Sequence, residues 1–107
     1  MRLWYQSMTL ACSWPGYNRV LRRFLDSVKD PGTEIEIHGI DARGGIGDQY
    51  RYLSVIETIE VLENVERASR GGFDAFLIGN IADPGLYEAR EIARWGKAIK
   101  ASGATTE

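Results

Sequence analysis

The residues best placed to do chemistry follow a short apolar segment, residues 75–78, which is typical of a buried central strand. Asn80 and Ile81 come directly after it. In an open α/β sheet the ligand crevice lies outside the carboxyl ends of the strands. We therefore expect Asn80 and Ile81 to contact a small ligand, although asparagine at such a position also serves to shape a loop.

Asp83 and Pro84 continue this segment and together form a helix start signal. Asp is a favoured N-cap residue and Pro fits the first helical position. We predict that Asp83 caps a new helix, and we favour this role over a catalytic one. Because the free N–H groups of a helix N-terminus attract anions, a small carboxylate, sulfate or phosphate is expected beside it.

A second polar pair, Gln6 and Ser7, ends the first apolar segment of the chain. If the first and third strands are neighbours, the two pairs meet at one edge of the sheet. Gln6 and Ser7 then either contact the ligand or only form a turn. The candidate substrate-binding residues are therefore Gln6, Ser7, Asn80, Ile81 and Asp83.

The remaining reactive side chains are weaker candidates. Cys12 follows the first strand, where an unreactive thiol is favoured over a catalytic one. His38 has no Cys or second His nearby, so a structural role is favoured over that of a ligand or base. Arginines 19, 22 and 23 are interpreted as ordinary surface charge. The glutamates of the long helix are interpreted as its solvated face, since a metal would need convergent ligands: Glu57, Glu60, Glu63 and Glu66.

Composition restricts the class of protein. The chain has 107 residues, 44% of them hydrophobic, which fits one globular domain. Its net charge of −2 gives no electrostatic signature for nucleic acid or an anionic membrane, and no apolar run is long enough to cross a bilayer. One cysteine excludes an internal disulfide and makes a reducing cytoplasm the simplest location.

Strand-like and helix-like segments alternate, which favours an α/β fold with parallel strands. The expected strands are residues 2–8, 34–40 and 75–78, and the expected helices are residues 17–28, residues 49–70 and a helix from residue 83. Right-handed connections give the strand order 2-1-3 with helices on both faces, as in a flavodoxin-like half-domain. The outer edge of the third strand would be unpaired, so we expect a homo-oligomer or another covering partner.

Apolar residues at helical spacing predict which helix faces are buried. In the first helix these are Val20, Leu21, Phe24, Leu25 and Val28. In the second helix they are Tyr52, Val55, Ile56, Ile59, Leu62 and Val65.

Four stretches resemble the Asp/Glu/hydantoin racemase superfamily: residues 1–7, residues 31–39, residues 49–52 with the helix through Asn64, and residues 72–92. The resemblance implies that residues 1–93 form the first lobe of a two-lobed enzyme and that residues 94–107 are a divergent polar tail. It also implies a small carboxylate-bearing substrate and no cofactor. In that family a cysteine from each lobe transfers a proton at the substrate Cα.

The chain departs from this pattern in two places. Asn80 stands where the family carries its first cysteine, and a carboxamide is no base at neutral pH. After Ala93 no second lobe is recognisable, through natural truncation, a shifted reading frame or deliberate cutting. We therefore expect an inactive or truncated amino-acid racemase or epimerase. The alternative is a non-catalytic α/β domain that binds a small ligand or a subunit.

Overall fold

The computed structural model describes residues 1–9, 15–43, 50–80 and 82–93. The strands are β1 (Arg2–Gln6), β2 (Glu34–His38) and β3 (Ala75–Ile78). The helices are α1 (Pro15–Val28), α2 (Arg51–Arg70) and α3 (residues 86–93). The sheet is parallel with the order β2-β1-β3, which confirms the predicted α/β class and strand order. Cys12, residues 44–49, Ile81 and the predicted polar tail lie outside the described residues.

Strand β1 is central and pairs with both neighbours along its length. Both ladders continue one step beyond the strand ends: Ser7 N–H donates to the His38 carbonyl at 2.7 Å, and Gly79 N–H donates to the Gln6 carbonyl at 2.8 Å. Because side chains alternate along a strand, Trp4 and Gln6 lie on one face of the sheet and Tyr5 on the other. Because the three strands are parallel, their carboxyl ends meet at one edge of the sheet.

The core lies between the sheet and α2. The Trp4 ring stacks on His38 with centroids 3.6 Å apart and on Phe76 at 5.9 Å. Val61 of α2 packs there with residues that follow the strands, Met8 and Ile40. Ile40 was expected inside the second strand, but β2 ends at His38 and Ile40 is buried just beyond it.

The buried face of α2 is not the predicted one. Its buried residues are Glu57, Glu60, Val61, Asn64 and Ala68. The residues predicted to be buried include four that are exposed: Tyr52, Val55, Ile56 and Ile59. The interpretation of the glutamates as one solvated face is also wrong, because Glu57 and Glu60 are buried whereas Glu63 and Glu66 are exposed.

Specific hydrogen bonds explain this orientation of α2. The Glu60 carboxylate accepts bonds from the backbone N–H groups of residues 41, 42 and 43, at 2.6, 2.9 and 2.9 Å. Asn64 Nδ2 donates to Gln6 Oε1 at 2.9 Å. Each bond satisfies a group that would otherwise be costly to bury, so these polar residues point toward the sheet.

Helix α1 lies over β2 and has no fully buried residue. Arg22 Nη1 donates to the carbonyl of Ile35 at 2.5 Å. Leu21 and Leu25 are half-buried as predicted. The prediction of burial is wrong for Val20, Phe24 and Val28, which are exposed.

Helix α3 begins later than predicted. Asp83 has φ +49°, in the left-handed region, whereas an N-cap residue has extended backbone. Leu86 N–H donates to the Asp83 carbonyl, and the first i,i+4 bond runs from Ala89 N–H to the Gly85 carbonyl at 2.8 Å. Asp83 and Pro84 therefore form a turn ahead of the helix, and the predicted capping role of Asp83 is wrong. None of the helices described is long and apolar enough to cross a membrane.

Candidate functional site

A cavity of about 180 Å³ opens at the carboxyl ends of β1 and β2, beneath the first turns of α1. It lies on the sheet face opposite α2. The residues around it come from the ends of both strands and from the helix: Ser7, Thr9, Asn18, Arg22, Ile37 and Gly39. This is the crevice position expected for an open α/β sheet, but on the β1–β2 side rather than the predicted β1–β3 side.

Two hydroxyl groups form one wall of the cavity. Ser7 Oγ and Thr9 Oγ1 are 2.9 Å apart, and the backbone N–H of Thr9 donates to Ser7 Oγ at 3.2 Å. The Thr9 carbonyl in turn accepts from Ile40 N–H at 2.9 Å. The hydroxyls are thus held in place by the extension of the β1–β2 pairing. Because one hydroxyl proton is used in the bond between them, the pair offers a ligand one O–H donor together with acceptor lone pairs.

Arg22 supplies the positive charge of the cavity. Its Nη1 donates to Ile35 and lies 3.8 Å from Asp26 Oδ1, a long contact between half-exposed groups. A guanidinium has five N–H donors, so these contacts leave it able to bind an anion. Planar, bidentate recognition of a carboxylate is the task for which arginine is best suited.

A shallow groove along α1 adjoins the cavity and shares Asn18 and Arg22 with it. Its other residues are Arg19, Arg23 and Asp26. With three arginines and one carboxylate, the groove adds positive potential to the mouth of the cavity. Although the whole chain has a net charge of −2, this region therefore attracts anions.

The fold places only some of the predicted site residues at the cavity. Ser7 lines the cavity, but the Gln6 side chain is fully buried on the opposite face. Gln6 Nε2 donates to the carbonyls of Ser7 and Gly39, and its Oε1 accepts from Trp4 and Asn64. These bonds use the amide on both sides, so Gln6 holds the core together at the strand ends.

Asn80 lies at the same edge of the sheet, on the far side of β1 from the cavity. Its Oδ1 accepts from Ala82 N–H at 2.9 Å, and its carbonyl accepts from Asp83 N–H at 3.0 Å. This is the loop-shaping role that was the alternative to ligand contact. A helix N-terminus beside Asp83 was expected to aim N–H groups at an anion, but the intervening turn moves that terminus to residue 86.

Tyr5 lies on the cavity face of the sheet, where its ring packs against Gly79. Burial raises the pKa of the Tyr5 phenol above its ordinary value of 10.0, and the charge of the neighbouring Tyr17 raises it further. Tyr5 is therefore a neutral hydrogen-bonding group at physiological pH.

Sequence reasoning missed Thr9, Asn18 and Arg22. Arg22 was interpreted as surface charge because it alternates with apolar residues at helical spacing. The available signal was the place of Asn18 in the first turn of the helix that follows β1, since helices in this architecture begin at the ligand edge of the sheet. Arg22 lies one turn further along.

Two further results bear on the class of protein. The described residues contain no group of three or more His, Cys, Asp or Glu side chains that could hold a metal ion. No protein-family model, no curated protein and no solved structure matches the chain.

Proposed function

We propose that this protein binds a small carboxylic acid, such as an acidic amino acid, in the cavity beneath α1. The observation that carries the proposal is the convergence of Arg22 with the hydroxyls of Ser7 and Thr9 at two strand ends. The guanidinium binds the carboxylate, and the hydroxyls orient the rest of the molecule. The resemblance to the first lobe of an Asp/Glu/hydantoin racemase supports the same substrate class.

The size of the cavity restricts the ligand. A volume of about 180 Å³ is below the range of about 300–1,000 Å³ that is typical of drug-sized ligands. This favours a small acid over a nucleotide or a coenzyme.

We further propose that binding is not accompanied by catalysis in this chain. The described side chains around the cavity are Ser, Thr, Asn, Arg and Ile, and none of these is a general base at neutral pH. Asn80 stands where the family carries a thiol, and its amide shapes a turn. The protein is then a ligand-binding relative of a racemase lobe.

The test is a titration of the ¹⁵N-labelled protein with aspartate, glutamate and a hydantoin, followed by amide chemical shifts. We expect saturable shifts at Thr9 and Gly39 with the two acids, and none with the uncharged diamide of succinic acid. Arg22→Gln should weaken binding at least tenfold, because one charge-assisted hydrogen bond contributes about 1.5–3 kcal/mol.

Arg23→Gln is the matched control, because it removes the same charge from the adjacent groove. It should change the affinity less than threefold. Arg22→Lys separates the shape of the guanidinium from its charge. The proposal fails if millimolar acid produces no shifts, or if Arg22→Gln and Arg23→Gln weaken binding equally.

A further inference from the structure

The segment after β2 holds a carboxylate with three successive backbone N–H groups. The N–H of Asp41 donates to Glu60 Oε2 at 2.6 Å, and those of Ala42 and Arg43 both donate to Oε1 at 2.9 Å. Glu60 is only 7% exposed, so this carboxylate is taken out of water. Successive N–H groups that point to one place form a concave anion-binding nest. Residues 41–43 are called the nest below.

Both ends of the nest are anchored by contacts other than the Glu60 carboxylate. On the β2 side, Ile40 is fully buried and its N–H donates to the Thr9 carbonyl at 2.9 Å. At the other end, Arg43 Nε donates to Glu63 Oε1 at 2.9 Å. The N–H groups of the nest therefore stay converged when the carboxylate between them is removed.

The donors of the nest select a charged ligand. Hydrogen bonds to an ionised acceptor are roughly twice as strong as those between neutral groups. A carboxylate can engage all three N–H groups through its two oxygens, which is how the Glu60 carboxylate is bound. The class of ligand is therefore small carboxylates.

The length of the Glu60 side chain defines the size of that ligand. Glu60→Ala keeps the Cβ atom and removes one methylene group and the carboxylate, which match acetate in number and kind of heavy atoms. Propionate carries one carbon more than the vacated space, and an extra methylene in a packed site is unfavourable. The vacated nest should therefore prefer acetate.

We propose that the nest is a binding site for small carboxylates and that Glu60 fills it as a tethered ligand. The tether gives the Glu60 carboxylate a high effective concentration, so its binding energy holds α2 against the end of β2. None of residues 41–43 lines the cavity beneath α1, so this site does not depend on the proposed function.

Acetate rescue of Glu60→Ala tests the site. Urea denaturation is measured by circular dichroism at neutral pH, in sodium acetate and in sodium chloride of equal ionic strength. With a dissociation constant of about 10 mM, which is reasonable for a four-atom ligand, about 200 mM acetate should raise the folding equilibrium constant roughly twentyfold over chloride. Propionate and uncharged acetamide should raise it less than about threefold. If the variant is unfolded in chloride, acetate should restore the helical signal.

Two controls locate the effect in the nest. In the wild-type protein Glu60 fills the nest, so stabilisation by acetate there reports binding elsewhere, including at Arg22. Glu60→Gln removes the same charge but leaves no space, and acetate should not rescue it. In Glu60→Ala, acetate should also give saturable ¹⁵N amide shifts at residues 41–43. The proposal is overturned if acetate stabilises Glu60→Ala no more than the wild type, if acetamide or propionate equals acetate, or if Glu60→Gln is rescued equally.

Discussion

The ring of Tyr5 lies directly against Gly79, at the point where β3 ends. A Cβ atom on residue 79 would stand 2.5 Å from the Tyr5 hydroxyl oxygen, well inside van der Waals contact. The backbone cannot withdraw, because Gly79 N–H donates to the Gln6 carbonyl at 2.8 Å and extends the β1–β3 ladder. Glycine is required here by close packing between neighbouring strands.

Gly79→Ala should therefore lower the free energy of unfolding by about 1–3 kcal/mol, the usual cost of overpacking. Urea denaturation measures the change. Gly16→Ala is the control, because the nearest atom to an added Cβ there is 3.9 Å away and the site is helical. The control should be neutral or stabilising by up to about 1 kcal/mol. Equal destabilisation by the two variants would contradict this account.

The Tyr5 phenol should titrate above the ordinary tyrosine pKa of 10.0. Burial is the main cause of its raised pKa, and the charge of Tyr17 adds to it. Carbon NMR of ring-labelled tyrosine should show a resonance whose titration midpoint lies above pH 10. Tyr5→Phe should remove that resonance, and Tyr17→Phe should shift its midpoint downward. A Tyr5 midpoint at or below 10 would be inconsistent with the packing described.

The same shift predicts how stability changes in alkali. The folded protein holds the Tyr5 proton more tightly than the unfolded chain does, so its contribution to stability is complete below about pH 10. Above that pH the unfolded chain loses the proton first, and the contribution disappears as pH approaches the folded pKa. Tyr5→Phe should flatten the fall in stability above pH 10, as measured by urea denaturation at several pH values.

Glu60→Gln should loosen the segment after β2. The variant keeps an acceptor oxygen but loses the charge that strengthens three backbone hydrogen bonds, so we expect a loss of about 1–3 kcal/mol. Amide exchange at residues 41–43 should become faster. Glu66→Gln removes an exposed charge 3.9 Å from Arg70 and should change stability by less than about 1 kcal/mol. Unchanged exchange at residues 41–43 would refute the assigned role.

The protein should not exchange the α-proton of aspartate, glutamate or a hydantoin in deuterated water. Each positioned proton-transfer group typically contributes a factor of about 100 to 10,000, and the described cavity offers none. Proton NMR of the substrate measures the exchange. Because Cys12 is the one thiol in the sequence, Cys12→Ser is the control. Rapid exchange that survives in this variant would overturn the non-catalytic assignment.

The strand order could be predicted because alternating strand and helix segments imply parallel strands joined by right-handed connections. That general rule is sufficient to give the order. The orientation of α2 could not be predicted in this way. Hydrophobic periodicity assumes that the apolar side of a helix faces the sheet, but Glu60 and Asn64 have particular partners in the loop after β2 and in Gln6. Such partners come together only in the folded chain, so no spacing rule identifies them.

The residues of the candidate site were likewise predicted only in part. Ser7 was identified because strand ends face the ligand edge, which is a property of the architecture. Gln6 was misplaced because adjacent residues point to opposite faces, and the sequence does not say which face holds the cavity. Asp83 was misassigned because the Asp-Pro pair predicts a cap, whereas the left-handed backbone of Asp83 and Gly85 forms a turn first.

The mixed core between the sheet and α2 has a thermodynamic consequence. The buried side chains of the described part are half apolar and half polar: Trp4, Met8, Ile40, Val61 and Ala68, against Gln6, Ser7, Glu57, Glu60 and Asn64. Exposure of apolar surface raises the heat capacity on unfolding, and exposure of polar surface lowers it. The heat-capacity change should therefore fall below the usual value of about 12–15 cal/mol/K per residue. Stability then varies little between cold and warm conditions, because the temperature-sensitive hydrophobic contribution is small.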